Sequence, residues 1–142
     1  MSQDNSLSQD NSLSQGNSQA AKRKVLVIDD DIAFNEILKE QLEWADFEVK
    51  SAFDGEQGMR LYKEYKPDVV ITDIIMPNTD GIEVILSLVN DDSCDAQIIV
   101  MSGGGRIAGI EYLRLTENLG IKNMLEKPFS FSQLEEVLGI NQ

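Results

Sequence analysis

The chain has 142 residues, 42% of them hydrophobic and 26% charged, a length and mix that suit one soluble domain with a real core. Twelve Lys and Arg against 25 Asp and Glu leave a net charge of -13, which would repel nucleic-acid phosphates and anionic lipid, so neither nucleic acid nor a membrane is an expected partner. Without His and with Cys94 as its one cysteine, the chain can build no His-based metal site, no Ser-His-Asp triad and no internal disulfide; it has no apolar leader or membrane-length apolar run, and its expected location is cytoplasmic.

Residues 1–21 differ in composition from the rest of the chain. The unit SQDNSL occurs twice and is succeeded by SQGNSQ. Only Leu7 and Leu13 could pack, too little apolar surface to offset the entropy of ordering, so the segment reads as a disordered tail before one domain at 22–142. The domain opens on Val25-Leu26-Val27-Ile28, a β-rich run that stops at Asp29-Asp30-Asp31. Ala33, Phe34, Ile37, Leu38, Leu42 and Ala45 then recur at helical spacing, with Asp31 as the expected N-cap. A strand is predicted at 47–52, a turn at Asp54-Gly55, and a helix over 56–65 that Gly58 weakens by about 1 kcal/mol relative to Ala. Pro67 ends it. A strand from Asp68 to Thr72 ends at Asp73, and after the Asp80-Gly81 turn Ile82, Val84, Ile85, Leu88 and Val89 mark a third helix. A fourth strand, 97–101, closes on Ser102; Gly103 to Gly105 read as loop, and 107–119 as helix with Gly120 just past its end. A fifth strand is predicted at 121–125, then Lys127-Pro128, then a last helix over 130–138 capped by Ser130 or Ser132.

Five βα units in series predict a parallel sheet with helices on both faces, and in such folds ligands bind beyond the carboxyl ends of the strands. Those ends carry Asp29 and Asp30, Asp73, Ser102 and, just past the fifth strand, Lys127. If the first and third strands are neighbours, three carboxylates meet within about 5 Å, and each like-charge pair costs roughly 3 kcal/mol at an effective dielectric near 20. A proton or a cation must relieve this. Oxygen ligands without His or Cys select a hard divalent ion, Mg²⁺ ahead of Zn²⁺, in the arrangement used for handling phosphate. Lys127 and Ser102 would add a positive charge and a hydroxyl donor for the same oxyanion.

The stretches VLVIDDD, PDVVITDIIMPNTDG, IIVMSGG and LEKPF make residues 24–138 resemble the receiver domain of two-component response regulators, in the family's order and spacing. The resemblance implies a flavodoxin-like, doubly wound (βα)5 fold whose five-stranded parallel sheet has the order 2-1-3-4-5. It implies that Asp73 is the phosphoacceptor, that Asp29, Asp30, Asp73 and the backbone carbonyl of Ile75 hold Mg²⁺, and that Ser102 and Lys127 engage the phosphoryl group. The Lys127-Pro128 bond is often cis in the family. The phosphoryl donor is then a sensor histidine kinase or a histidine phosphotransfer protein, and the chain itself a signalling phosphoacceptor with no substrate turnover of its own. With the chain ending just after the fifth helix, a stand-alone regulator is expected, acting on a downstream protein through the face of the fourth helix, fifth strand and fifth helix.

Two departures from the family pattern carry expectations. Met124 stands where an aromatic residue is usual, which should alter the coupling between phosphorylation and that face. Ile75 and Gly104 flank the site where polar residues can orient a hydrolytic water, so autodephosphorylation should be slow. Two other readings compete. A haloacid-dehalogenase-type phosphatase could use Asp29-Asp30-Asp31, Ser102 and Lys127, but lacks its later acidic pair and leaves Asp73 unexplained. A receiver-like interaction module that never binds phosphate would not need all five side chains.

Overall fold

In the computed structural model, which describes residues 21–76, 81–103, 114 and 116–140, short aliphatic runs alternate with amphipathic helices. Five strands occur among the described residues: β1 (Lys24–Ile28), β2 (Glu48–Ala52), β3 (Val69–Asp73), β4 (Gln97–Ser102) and β5 (Asn123–Glu126). All pair in parallel, in the order β2-β1-β3-β4-β5, which is the predicted doubly wound topology. Four helices are described over their length: α1 (Ile32–Trp44), α2 (Gly55–Tyr65), α3 (Gly81–Val89) and α4 (Phe131–Leu138). Residues 116–118 are also helical; the rest of the helix predicted at 107–119, apart from residue 114, lies outside the described residues, as do the repeat at 1–20 and the 77–80 part of the Asp80-Gly81 turn.

The sheet is covered on both faces, so its central strands need apolar residues on each side. Val25, Val27, Ile71, Ile99 and Met101 pack with Leu38 and Leu42 of α1 and with Leu134 and Leu138 of α4. On the other face Leu26, Ile28 and Val70 pack with Tyr62 of α2 and with Val84 and Leu88 of α3. Met76 and Met101 are core residues. Tyr62 is buried with its hydroxyl donating to Asp91 Oδ2 at 2.8 Å, while Trp44 lies on the surface of α1 at 90% exposure.

Local signals set the helix ends. Asp31 caps α1 by accepting from the Phe34 N–H at 3.1 Å, and Ser130 forms a capping box with Gln133 at the start of α4. Asp54 is not a turn residue: its side chain accepts from the Gln57 N–H at 2.7 Å, and Gly55 is already the first residue of α2. β5 starts two residues later than predicted. The Ile121 N–H is taken by the Thr116 carbonyl at 3.1 Å in the turn that closes the preceding helix, with Gly120 at φ 88, so Ile121 cannot yet join the ladder. The inward face of α1 also differs. Ala33 and Ile37 point to solvent, Ile37 at 56% exposure, and the buried residues are Asn35, Leu38 and Leu42.

Gly58 is more than a weak point in a helix. A Cβ there would lie 2.6 Å from Cδ1 and 2.9 Å from Cγ1 of Ile28, a fully buried side chain, so the missing side chain lets α2 close on the strand that carries Asp29. Gly58→Val should therefore destabilise the fold by about 1–3 kcal/mol through overpacking, read as a lowered urea midpoint with unchanged slope.

Candidate functional site

Strand register builds the site. Ile28 of β1 pairs with Thr72 of β3, so the next residues, Asp29 and Asp73, leave the sheet side by side. Asp73 in turn faces Met101, Ser102 faces Glu126, and Lys127 comes one step later. β1, β3, β4 and β5 thus deliver their polar residues to the same rim. The Lys127 N–H donates to the Ser102 carbonyl at 2.8 Å, and the Lys127-Pro128 bond is cis.

Asp29, Asp30 and Asp73 each present a carboxylate oxygen, and these oxygens all lie within 4.8 Å of one another. Asp29 and Asp73 are buried and Asp30 is exposed. Lys127 reaches between the buried pair, its Nζ donating to Asp29 Oδ2 at 2.7 Å and to Asp73 Oδ2 at 3.0 Å. Its ammonium also lies 4.4 Å from the centroid of the Phe34 ring, a cation–π contact that walls one side of the site. The second oxygen of Asp29 accepts from the Asp31 N–H at 2.9 Å, and Asp73 Oδ1 accepts from the Ile75 N–H at 3.2 Å.

This crowding sets the electrostatics. Burial pushes the Asp29 carboxyl above the usual carboxylate range, and the Asp73 charge adds to the push; the bonds from Lys127 and Asp31 oppose it without cancelling it. Burial pulls the Lys127 ammonium down, but its bond to Asp29 and the charges of Asp73 and Asp29 outweigh that and hold it above its ordinary value. Three carboxylates against one ammonium leave two surplus negative charges, which one divalent cation would balance. The donors are oxygens alone, so the residues fit a hard ion such as Mg²⁺.

All five side chains singled out from the sequence stand at this rim. Ser102 is buried at the end of β4, and Ile75, 41% exposed, is an apolar residue beside Asp73. Asp31 is spent on the helix cap, which removes it from a phosphatase-like acid pair. Gly104 lies outside the described residues. Met124 is half-buried, packs beside Ile82 and Ile85, and its sulfur accepts from the Thr116 hydroxyl at 3.2 Å. Sequence reasoning does not single out Phe34 or Asn35. The signal for Asn35 is an amide in line with Leu38 and Leu42; for Phe34 there is none beyond an ordinary core aromatic. A cavity of about 420 Å³ lined by Tyr62, Lys66, Asp68 and Asp91 lies by the starts of β3 and β4, at the opposite end of the sheet.

Comparison with known proteins gives the family. Residues 25–139 match the family model described as response regulator receiver domain. The chemotaxis protein CheY of Thermotoga maritima is 36% identical over 118 residues, covering 82% of this chain and 94% of that protein. A probable transcriptional regulator, ycf27 of Guillardia theta, is 37% identical over 118 residues, which cover 80% of this chain and 43% of the relative. The chain thus spans less than half the length of the transcriptional regulators it matches, and nearly all of the chemotaxis proteins. Among solved structures, the response regulator TrrA of Thermotoga maritima, in complex with Mg²⁺ and BeF, superposes with TM-score 0.71 at 28% identity, over 82% of this chain and 96% of that one. Vibrio cholerae CheY4 superposes with TM-score 0.72 at 26% identity, over 84% and 98%.

Removing the ammonium should expose the repulsion it masks. Lys127→Met leaves the buried Asp29 carboxyl beside Asp73 without its cation, and should cost about 3–5 kcal/mol at neutral pH in denaturant unfolding without divalent metal. Because the folded state raises the Asp29 pKa, it holds that proton more tightly than the unfolded chain does. The penalty should therefore shrink as pH falls through the Asp29 titration and the carboxyl becomes neutral. In the wild type the Lys127 contribution is present below its unfolded value of 10.5 and is lost as pH rises through the higher folded value.

Proposed function

The chain belongs to the response regulator receiver domain family, and on that premise we propose that it accepts a phosphoryl group on Asp73 from a histidine kinase or histidine phosphotransfer protein in the cytoplasm and signals by phosphorylation-dependent protein–protein contact. The observation that carries this reading is the convergence of Asp29, Asp30 and Asp73 on Lys127 at one rim of the sheet. Receiver domains are phosphoacceptor signalling modules and not enzymes that turn over a separate substrate. The strongly acidic composition favours a protein partner over nucleic acid or lipid.

In this reading an oxygen of the Asp73 carboxylate attacks the phosphorus of the donor in line. A P–O bond to Asp73 forms as the P–N bond of the phosphohistidine breaks, and the departing imidazole takes up a proton. Charge on the transferring group spreads over its equatorial oxygens, so stabilisation there is mostly positioning and electrostatics. Lys127 is already bonded to Asp73 and can follow the charge onto the new phosphoryl oxygens. Ser102, buried at the end of the adjacent strand, supplies a hydroxyl to the same group. Asp29, Asp30, Asp73 and the Ile75 carbonyl would hold Mg²⁺, which supplies charge neutralisation for the phosphoryl oxygens when bound. The downstream target would read the face of the fourth helix, β5 and the last helix, and Met124 of β5, bonded to the Thr116 hydroxyl, stands where it could couple to that face.

Incubation with Mg²⁺ and a small acyl or amido phosphate should add one phosphoryl group to the intact mass, and Asp73→Asn should abolish it. Release of free phosphate from assorted monoesters would favour a phosphatase instead, and no mass gain at all would leave a binding module that never takes phosphate. The phosphorylated chain should lose its phosphoryl group slowly, over many minutes or longer, because Ile75 offers no polar side chain to orient water. Rapid loss from the isolated protein would contradict that assignment.

A further inference from the structure

Helix α1 packs on the sheet through Leu38 and Leu42, yet the remaining inward residue is Asn35, fully buried. A residue kept only for packing has no need of an amide, because buried donors and acceptors must find partners. Asn35 uses its amide nitrogen twice, donating to the Asp29 carbonyl at 3.1 Å and to the Ala52 carbonyl at 2.9 Å. Its Oδ1 is buried without a hydrogen-bond partner. Turning the amide over would set that oxygen against two carbonyl oxygens, so the two acceptors decide its orientation.

The Asp29 carbonyl belongs to the peptide plane that joins Asp29 to Asp30. A peptide unit is rigid, so holding its oxygen also holds the Asp30 N–H and the position of the Asp30 Cα from which that side chain departs. The Asp29 carboxylate is pinned separately, by the Asp31 N–H on one oxygen and Lys127 on the other. Asp30 is exposed, and its carboxylate completes the trio with Asp29 and Asp73. The same amide ties the ends of β1 and β2 together, where the Asp29 N–H already donates to the Ala52 carbonyl at 3.0 Å.

We propose that Asn35 is a positioning residue which, from inside the core, locks the Asp29–Asp30 peptide plane and so keeps the Asp30 carboxylate within ligating reach of Asp29 and Asp73. The proposal rests on the reading of this cluster as a Mg²⁺ site. Its consequence is specific: loss of the amide weakens metal binding beyond what loss of packing does.

Calorimetric titration of the full chain with Mg²⁺ tests it, on the wild type, Asn35→Leu and Leu42→Ala. Asn35→Leu puts an apolar side chain of similar size in its place and removes the donor; its Mg²⁺ Kd should rise about ten- to a hundredfold, as for other groups that orient metal ligands. Leu42→Ala creates a cavity on the same helix and should lower the melting temperature while leaving the Mg²⁺ Kd within about twofold of wild type. Unchanged binding by Asn35→Leu overturns the proposal, and so does an equal weakening by Leu42→Ala. If Asn35→Leu does not fold, Asn35→Ala takes its place with the same expected separation. A wild type that binds no Mg²⁺ overturns the underlying reading and the proposal together, an outcome distinct from one in which only the Asn35 variant behaves as wild type.

Discussion

The ammonium of Lys127 between the carboxylates of Asp29 and Asp73 is the interaction on which the rest of the site depends. Parallel pairing of β1 with β3 forces two acids to emerge side by side, and the helices on both faces keep water from screening them. The repulsion is thus a product of the fold itself. Lys127 relieves part of it, and the surplus charge that is left suits a divalent cation and, beyond that, a transferring phosphoryl group. A site of this kind is held in tension by its own scaffold, which makes it responsive to any change in charge at Asp73.

The scaffold holds that tension through ordinary packing. β1 is apolar on both sides, with Val25 and Val27 facing α1 and α4, and Leu26 and Ile28 facing α2 and α3. Gly58 lets α2 sit directly against Ile28, one residue before Asp29. Gly81 does the same for α3, where a Cβ would collide with the carbonyls of Asp73 and Ile74. Gly58 within α2 and Gly81 at the start of α3 therefore bring their helices close to the strand ends bearing the two buried carboxylates. The local cost in helix propensity at Gly58, about 1 kcal/mol, is set against close packing just beneath the site.

The apolar periodicity of α1 illustrates where reading from the chain stops. Ala33 and Ile37 share the helical spacing of Leu38 and Leu42, yet both face solvent, and Asn35 takes an inward place. Spacing alone leaves the rotation of a helix loose when apolar residues lie on more than one side. The Asp29 and Ala52 carbonyls settle it by offering Asn35 two acceptors from the ends of two different strands. Ile121 shows the same limit in a strand: it looks like part of β5, but the closing turn of the preceding helix claims its N–H.

Short-range physics was legible in the chain alone: the alternation of elements, the cap at Asp31, the cap narrowed to Ser130 or Ser132, and the fact that acids, a serine and a lysine come after four of the five strands. These features depend on neighbours within a few residues, and the family resemblance supplied the strand order. Only the tertiary structure decided that Lys127 bridges Asp29 to Asp73, that Phe34 walls the site, and that Asn35 grips the backbone under it. Those contacts join separate elements of the chain. Their geometry is set by strand register and helix rotation, which packing fixes and local sequence does not encode.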